Sequence, residues 1–311
     1  MKTVVIGASG HVGSYLVREL VNEGHEVIAI MRGNRVPHAY EKEIWDKVSI
    51  INASRDELCE NDLLESINAD VVCDLIAFDL DGVKKLTSKI NNGAFYVVMG
   101  SIWMYENKEY IPVDEQHPKN AVQTYGKQKG LIEDFLLDKV KNGELRATVI
   151  HPGHVSAKEW QPINPQGNLD FSVFESIKRG EPVALPYDGL STLQHIHSAD
   201  LAKIITACIN KQEISNGEAF IAVAQKAMTL RAITESIYEY FGNEPRIEYL
   251  EWKAFEDRVG KETAAVTLDH ISHSPCCTPE KAQSLLGVEL KYSITDIFRE
   301  YLDEQKRLNK I

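Results

Sequence analysis

The stretch VVIGASGHVGSYLVREL, residues 4–20, starts as an apolar run, turns through Gly7, Gly10 and Gly13, and continues with the spacing of an amphipathic helix. A strand-to-helix turn needs glycine for its tightness, for close approach of backbone to a pyrophosphate, and for packing of the helix on the strand. The helix N-terminus then faces the phosphates. The stretch therefore predicts a dinucleotide-binding turn. The residues expected to contact the dinucleotide are Gly7, Ser9, Gly10, His11, Val12 and Gly13.

The rest of the first half alternates short apolar runs with amphipathic stretches, which is the pattern of a parallel sheet with crossover helices. Nearly continuous apolar runs are typical of strands buried on both faces. The expected strands are TVVIG, EVIAIM, VSII, DVVCDLIAF, AFYVVMG and RATVIHPG. Helical spacing fills the segments between them, and several end in Gly or Asn. We therefore predict an α/β fold with a Rossmann-type doubly wound parallel sheet.

The order of elements becomes irregular after about residue 151, where Pro and Gly interrupt the chain in HPGHVSAKEWQPINPQGN and GEPVALPYDGL. Helices are still expected in SADLAKIITACIN, TLRAITESIYEYFG and SITDIFREYLDEQKRL. This pattern predicts a dinucleotide-binding domain over residues 1–150 and a smaller substrate-binding lobe over residues 151–311, partly interleaved with the sheet.

Composition limits the kinds of partner. The chain of 311 residues has a formal net charge of −12 and no Lys/Arg cluster beyond short pairs, so we expect a small-molecule substrate and no nucleic acid. No apolar run is long enough to span a bilayer, and the short one at the N-terminus differs from a signal peptide. Five cysteines without framework spacing favour a reducing compartment, so a cytoplasmic protein is expected.

The end of the second expected strand indicates which nicotinamide dinucleotide is bound. An acidic residue there would bond the ribose diol of NAD, whereas an Arg accommodates the 2′-phosphate of NADP. The sequence IAIMRGNR has no acid and places Arg32 next to the strand end. NADP is therefore the preferred cofactor, and NAD stays open because Arg32 could also be a solvated or adenine-stacking side chain.

A Tyr and a Lys lie four residues apart in QTYGKQKG, residues 123–130, inside a segment with helical spacing. A phenol has a pKa near ~10, so it is a poor base at neutral pH unless a cation stabilises the phenolate. Lys129 lies one helical turn from Tyr125 and could supply that charge. Ser101, in VVMGS at the end of the fifth expected strand, completes a candidate catalytic set.

Taken together, these segments resemble the extended short-chain dehydrogenases/reductases of the NAD-dependent epimerase/dehydratase family. The resemblance covers nearly the whole length. It rests on GASGHVG, on MGSIWMYENKEYIPVDEQHP leading into YGKQK, on VIHPGHV and on HIHSADLA. The resemblance implies an NAD(P)-dependent enzyme that performs a redox step at a secondary alcohol or ketone. It also implies a homodimer, formed in many members through the Tyr-bearing helix and its neighbour.

The resemblance gives the catalytic residues their expected roles. Tyr125 would be the general acid/base, and Ser101 would hydrogen-bond the substrate oxygen. Lys129 would hold the phenol and also bind the nicotinamide ribose. Ala77 and Pro152 would complete the cofactor contacts, with Pro152 shaping the loop that cups the nicotinamide.

Two departures from the family pattern bear on the substrate. Dehydratases usually carry an Asp-Glu pair just after the Ser or Thr, where this chain has Ile102 and Trp103. Nucleotide-sugar members tend to have an Arg and an Asn at the positions that align with Leu193 and His154. Sugar dehydration is therefore disfavoured, and a nucleotide sugar loses two expected contacts because Leu193 cannot hold a phosphate.

Aromatic and histidine side chains are the expected substrate contacts, since aromatic walls suit a sugar ring or a flat ketone. They are Trp103, His154, Trp160 and His195. A metal site would need three or four ligands that converge in space, and the spacing of the histidines does not supply them. We therefore predict no metal.

Two net reactions stay open within this chemistry. A reductase or dehydrogenase exchanges its cofactor in each cycle, while an epimerase retains NAD and returns the hydride to the other face of a (nucleotide-)sugar carbon. A third alternative, of another class, is a non-catalytic NAD(P)-binding regulatory protein. The presence of Ser101, Tyr125 and Lys129 together argues against that last alternative.

Overall fold

The computed structural model describes residues 1–33, 35–91, 93–106 and 108–311. This part of the chain divides into two compact units. The first unit comprises Met1–Gly153, Ser198–Ala222 and Pro279–Leu290. The second unit comprises His154–His197, Val223–Thr278 and Lys291–Ile311. Two segments from the second half of the chain therefore belong to the first unit, whose predicted role in cofactor binding stays a prediction.

The strands are β1 Lys2–Ile6, β2 Glu26–Met31, β3 Ser49–Asn52, β4 Val71–Asp74, β5 Phe95–Met99, β6 Arg146–Pro152, β7 His154–Ser156, β8 Val183–Pro186, β9 Thr192–Leu193, β10 His195–His197, β11 Ala219–Ala222, β12 Met228–Thr229 and β13 Ile247–Leu250. The helices are α1 Gly13–Asn22, α2 Lys42–Trp45, α3 Arg55–Glu60, α4 Leu63–Ile67, α5 Leu80–Thr87, α6 Thr124–Lys141, α7 Ser172–Lys178, α8 Ser198–Asn210, α9 Gln212–Ser215, α10 Leu230–Phe241, α11 Trp252–Val259, α12 Lys261–His273, α13 Glu280–Leu286 and α14 Ile294–Arg307. A short 3-10 helix spans Ile102–Met104.

A seven-stranded sheet in the order β11-β6-β5-β4-β1-β2-β3 is the frame of the first unit. All its neighbouring strands run parallel. From β1 the chain adds β2 and β3 on one side of the sheet, and it then adds β4 on the other side of β1. This reversal of strand order creates the crevice where such folds bind ligands. The predicted Rossmann-type sheet and its six strands are confirmed. β11 was not predicted, because its four residues AFIA lie far along the chain in a region without strand–helix alternation.

Local chemistry explains where the elements differ from the expectation. β3 lies at the sheet edge and is largely exposed, with Ile50 53% exposed, rather than buried on both faces. The helical stretch ELCENDLLESIN forms two helices, α3 and α4. Asn61 separates them in an extended conformation, and its side-chain oxygen accepts a hydrogen bond from the N–H of Leu63 at 3.0 Å. That side-chain bond competes with the helical pattern.

The core of the first unit fixes the position of α6. Ile132 and Leu136 on α6 are fully buried in one apolar cluster with Val98 of β5 and Val149 of β6. Burying such side chains contributes about 1.5–3 kcal/mol each. The N-terminal end of α6, which carries Tyr125 and Lys129, is therefore held near the carboxyl ends of the strands.

The second unit has three small strand pairs, β7 with β10, β8 with β13 and β9 with β12. Its helices α7, α10 and α14 contribute to a separate apolar core that includes Phe174, Ile233 and Phe298. Within the described ranges, no helix combines the length and the apolar character that crossing a membrane requires.

Candidate active site

The glycine turn after β1 is closely packed. Gly7 has φ +87°, and its N–H donates to the carbonyl of Ile30 at 3.0 Å. A Cβ on Gly13 would lie 2.3 Å from the carbonyl oxygen of Gly7. Only glycine fits both positions without moving backbone. The turn therefore brings bare backbone to the start of α1, which is what a pyrophosphate-binding turn requires.

A cavity of about 130 Å³ lies beside this turn, at the carboxyl ends of β1 and β2. The residues that line it are Ile6, Gly7, Ser9, Gly10, Ile30, Met31, Arg32, Arg35, Ala53, Arg55 and Ile76. Its apolar floor suits a purine, and three guanidinium groups suit phosphate. These residues therefore fit a dinucleotide, with Arg32 at the expected place.

His11 and Val12, the other expected residues of the turn, are largely covered. Val12 is 8% exposed and precedes α1. Burial, and then the neighbouring His38, lower the pKa of His11 to about 4. The imidazole of His11 is therefore uncharged at neutral pH, and the side chain of Val12 packs beneath the turn.

A buried ion pair behind the cavity was not predicted. Nε of Arg55 donates to Oδ2 of Asp74 at 2.8 Å, and the hydroxyl of Tyr96 donates to the same oxygen at 2.9 Å. Arg55 is 9% exposed and Asp74 is fully buried. Asp74 ends β4, so the pair joins the cavity lining to the middle of the sheet. The available sequence signal was an acidic residue inside the apolar run DVVCDLIAF.

Ser101, Tyr125 and Lys129 come together in the first unit. Ser101 follows β5, and its Oγ accepts a hydrogen bond from the N–H of Trp103 at 3.2 Å. The Ser101 hydroxyl lies close enough to the phenol of Tyr125 to lower the pKa of that phenol. Nζ of Lys129 lies 5.4 Å from the centre of the Tyr125 ring. A hydroxyl, a phenol and an ammonium therefore lie side by side at the ends of the central strands.

Lys129 is 2% exposed and uses its ammonium on backbone. Nζ donates to the carbonyl of Ala77 at 2.6 Å and to that of Met99 at 2.7 Å. Burial lowers the pKa of Lys129 to about 8, against the opposing effect of the Asp74 carboxylate. Two strand ends are thus tied to α6 by one side chain that is still mostly charged at neutral pH.

The pKa of Tyr125 differs from the expectation. Its ring is 39% exposed, yet partial burial raises the phenol pKa above its ordinary value, and the Ser101 hydroxyl lowers it only in part. Lys129 was expected to lower this pKa, but its donors go to two carbonyls instead. In this arrangement Tyr125 is a protonated phenol at neutral pH.

Aromatic rings surround the group. Trp103 packs edge-on against Tyr125, with ring centres 5.9 Å apart. A Cβ on Gly126 would lie 2.4 Å from the carbonyl oxygen of Trp103, so glycine lets α6 meet the 3-10 helix closely. Phe78, which was not predicted, is 58% exposed, and its ring centre lies 5.4 Å from Nζ of Lys129. Exposed aromatic surface beside a buried cation suits a flat ligand.

The second unit contains a histidine cluster formed by His154, His195, His270 and His273. The ring of His154 lies 5.5 Å from that of His195 and 5.1 Å from that of His270, centre to centre. His195 is fully buried, and its Nε2 accepts a hydrogen bond from the N–H of Ile163 at 3.1 Å. Any substrate contact of His195 would therefore use its other nitrogen.

Burial keeps most of this cluster neutral. It lowers the pKa of His154 well below the ordinary value, with a further contribution from His195. It lowers the pKa of His195 to about 3. Among the residues that the structure describes, no group of three or more His, Cys, Asp and Glu side chains could hold a metal ion.

The other predicted positions are described by their exposure and their place in the fold. Trp160 is 41% exposed in the second unit, and Leu193 is fully buried there. Pro152 ends β6 in the first unit. The substrate roles of Trp103, His154, Trp160 and His195 stay predictions.

A parallel sheet in this order, with a glycine turn after its first strand and a purine-sized cavity at the strand ends, defines an α/β protein of the dinucleotide-binding class. The model of the NAD dependent epimerase/dehydratase family matches residues 3–90 and 79–222. The chain belongs to this family. It is an NAD(P)-dependent enzyme of the oxidoreductase and epimerase kind.

Similar proteins span most of the chain. The chloroplast stem-loop binding protein of 41 kDa b from Arabidopsis thaliana is 24% identical over 305 residues, which cover 95% of this chain and 76% of that protein. The UDP-glucose 4-epimerase of Drosophila melanogaster is 24% identical over 246 residues, covering 64% of this chain and 70% of that protein. The dTDP-glucose 4,6-dehydratase of Bacillus anthracis, solved in complex with NAD, superposes with a TM-score of 0.75 at 17% identity, covering 99% of this chain and 97% of that one. The structural likeness establishes the fold.

Proposed function

We propose that Ser101, Tyr125 and Lys129 carry out a redox step at a secondary alcohol or ketone of a small or sugar-like substrate. The observation that supports this most directly is the Lys129 ammonium 5.4 Å from the phenol ring of Tyr125, with the Ser101 hydroxyl close enough to lower the pKa of that phenol. The same three residue types in this arrangement supply a proton donor, a hydrogen-bond partner and a cation.

The residues divide the proton chemistry among them. A bound nicotinamide dinucleotide supplies or accepts the hydride at carbon. Tyr125 gives its proton to the substrate oxygen or removes one from it, and Ser101 hydrogen-bonds the same oxygen. Because its pKa is raised, Tyr125 is protonated at neutral pH and is set to act as an acid.

NADP is the proposed cofactor. Arg32, Arg35 and Arg55 all line the cavity beside the glycine turn, and none of the described residues that line it is acidic. A guanidinium recognises phosphate by charge and by paired hydrogen bonds. Replacing Arg32 by alanine should weaken NADPH binding about 10- to 100-fold while changing NADH binding little. Equal losses for both nucleotides would overturn the preference.

Substrate contacts are proposed for Trp103, His154, Trp160 and His195. An epimerase that retains NAD stays the alternative, since relatives such as the Drosophila protein bear that activity in their name. Against a nucleotide sugar, Leu193 is buried and apolar where a phosphate-binding Arg would be expected. The proposed substrate is therefore a small ketone or sugar without a required diphosphate contact.

One experiment separates these outcomes. The purified protein is denatured to identify any nucleotide that was bound, and then titrated with NADPH and NADH by fluorescence. An empty site that prefers NADPH supports an exchanging reductase. Tightly retained NAD supports an epimerase, and binding of neither nucleotide contradicts the enzyme proposal.

RNA binding is the second candidate function, because the relative matched over 95% of this chain is called a stem-loop binding protein. The net charge of −12 opposes it, since non-specific affinity for RNA comes from neutralised phosphates. We expect no shift of a stem-loop RNA in a mobility assay at physiological salt. A stable, sequence-dependent complex would support the RNA function instead.

A further inference from the structure

We propose that His151, oriented by Glu133, is a positioning residue that holds Ser101 in place for the reaction with Tyr125. The proposal rests on the function proposed for Ser101 and Tyr125. Neither His151 nor Glu133 has an expected role in that chemistry. All four residues belong to the first unit.

The contact between His151 and Ser101 is direct. The backbone N–H of Ser101 donates to Nδ1 of His151 at 3.1 Å. Both residues are buried, with His151 fully so. Since Nδ1 accepts this bond, the hydrogen-bond network assigns the ring proton of His151 to Nε2.

Glu133 accounts for that tautomer. Nε2 of His151 lies 2.5 Å from Oε2 of Glu133, although the two atoms lack the alignment of a straight hydrogen bond. The other oxygen of Glu133 accepts from Nζ of Lys119 at 3.0 Å. Burial alone would raise the pKa of Glu133, but the neighbouring His151 and the ammonium of Lys119 lower it to about 2. Glu133 is therefore a carboxylate at neutral pH, and an anion at this place favours the Nε2–H form.

Gly100 fixes the ring from the other side. A Cβ on Gly100 would lie 2.1 Å from Nδ1 of His151 and 2.4 Å from its Cε1. The N–H of Gly100 donates to the carbonyl of Ile150 at 2.6 Å, which joins the ends of β5 and β6. The imidazole therefore lies directly against the peptide that leads to Ser101, and a larger residue than glycine would displace it.

The spacing on α6 shows why these contacts matter for Tyr125. Tyr125, Lys129 and Glu133 follow one another at intervals of four residues, so they share one face of the helix, here called the α6 face. Through Lys129 the α6 face holds the carbonyl of Met99, and through Glu133 and His151 it holds the N–H of Ser101. The helix that carries the phenol thus also sets the position of Ser101.

The test compares two replacements of His151. His151→Asn keeps an acceptor oxygen near the position of Nδ1, while His151→Leu removes the acceptor. We expect His151→Leu to lower kcat about 10- to 100-fold through misplacement of Ser101. His151→Asn should restore most of kcat, and the Kd for NADPH should stay within about twofold in both variants because neither touches the cavity. Equal kcat for the leucine variant and the wild type, or equal impairment of both variants, would overturn the proposal.

A double-mutant cycle keeps the test informative if His151→Leu fails to fold. A glutamine at position 133 can present either an oxygen or an NH₂ group to Nε2, so Glu133→Gln no longer selects the tautomer. Glu133→Gln should lower kcat in the wild-type background and leave kcat unchanged in the His151→Asn background, because asparagine has no tautomers. Additive losses would contradict the proposed action through His151.

His117 offers a matched control. It is also a buried histidine of the first unit, and its Nε2 accepts from the N–H of Glu109 at 3.0 Å. His117→Leu should therefore cost stability with kcat within about twofold of the wild type. Full activity of a Tyr125→Phe variant would overturn the proposed function itself, whereas an inactive Tyr125→Phe beside a fully active His151→Leu would overturn the positioning role alone.

Discussion

The α6 face and the histidine cluster both bury titratable side chains, but they give them different surroundings. On the α6 face, Lys129 donates to two strand-end carbonyls and Glu133 lies against an N–H of His151 and the ammonium of Lys119. In the histidine cluster, rings pack on rings, and burial holds the pKa of His195 at about 3.

The difference shows when a titratable side chain in the protein interior stays ionised and when it becomes neutral. An ion taken out of water stays ionised only when dipoles or opposite charges replace its hydration. The α6 face supplies such partners at the point where the strands end, so its groups can hold and move protons. In the histidine cluster, burial lowers the pKa of His154 and of His195 far enough to keep both rings neutral.

The largest expected effect follows from Tyr125→Phe, which removes one hydroxyl from the α6 face. Turnover should fall by about 10²–10⁴-fold because the substrate oxygen loses its proton donor. NADPH affinity, measured by fluorescence titration, should change little. Tyr110→Phe is the control, because the hydroxyl of Tyr110 donates to Asp114 at an exposed site outside both regions. Comparable turnover losses in both variants would contradict the role proposed for Tyr125.

The second effect is on stability. The pKa of Lys129 is about 8 in the folded protein, against an ordinary value of 10.5, so the unfolded state binds more protons between these pH values. The free energy of unfolding should therefore rise with pH from about 8 to about 10.5, by about 3 kcal/mol at most. Lys129→Met should lack this rise when urea unfolding is followed across that range. An equal rise in the variant would place its origin elsewhere.

The smallest effect concerns the histidine cluster. His195→Leu leaves the N–H of Ile163 without its acceptor, which should cost about 1–3 kcal/mol of unfolding free energy. Because His195 is a proposed substrate contact and its neutral ring takes no part in the proton transfer, KM should rise while kcat of the folded variant stays within about twofold of the wild type. An unchanged KM would contradict the substrate contact. A drop in kcat like that of Tyr125→Phe would remove the contrast with the α6 face.

The predictions that the structure confirms came from patterns within short segments of the sequence. Gly7 and Gly13 are adjacent in sequence to the strand and helix that they join, so their spacing alone indicates the turn. The spacing of Tyr125 and Lys129 likewise follows from one helical turn. Periodicity and buried apolar runs were enough for six of the strands of the sheet.

Contacts between segments that are distant along the chain could not be predicted from the sequence. Nothing local pairs Arg55 with Asp74, or brings His151 to the N–H of Ser101, because both contacts depend on which strands are neighbours. The same holds for Lys129, whose expected partner was the phenol and whose actual partners are two carbonyls. Strand order decides these partners, and one sequence does not state strand order.

The seventh strand bears on how the chain is made and folded. β11 is the edge strand beside β6, yet it is translated some seventy residues later than β6. α13 of the same unit is translated later still. A nascent chain that has completed β6 therefore presents an open strand edge, which invites association with other chains. Pairing across such a separation is also slow to form. We expect a fragment ending at Gly153 to aggregate on refolding, and the intact chain to gain from a chaperone until Leu290 has emerged from the ribosome.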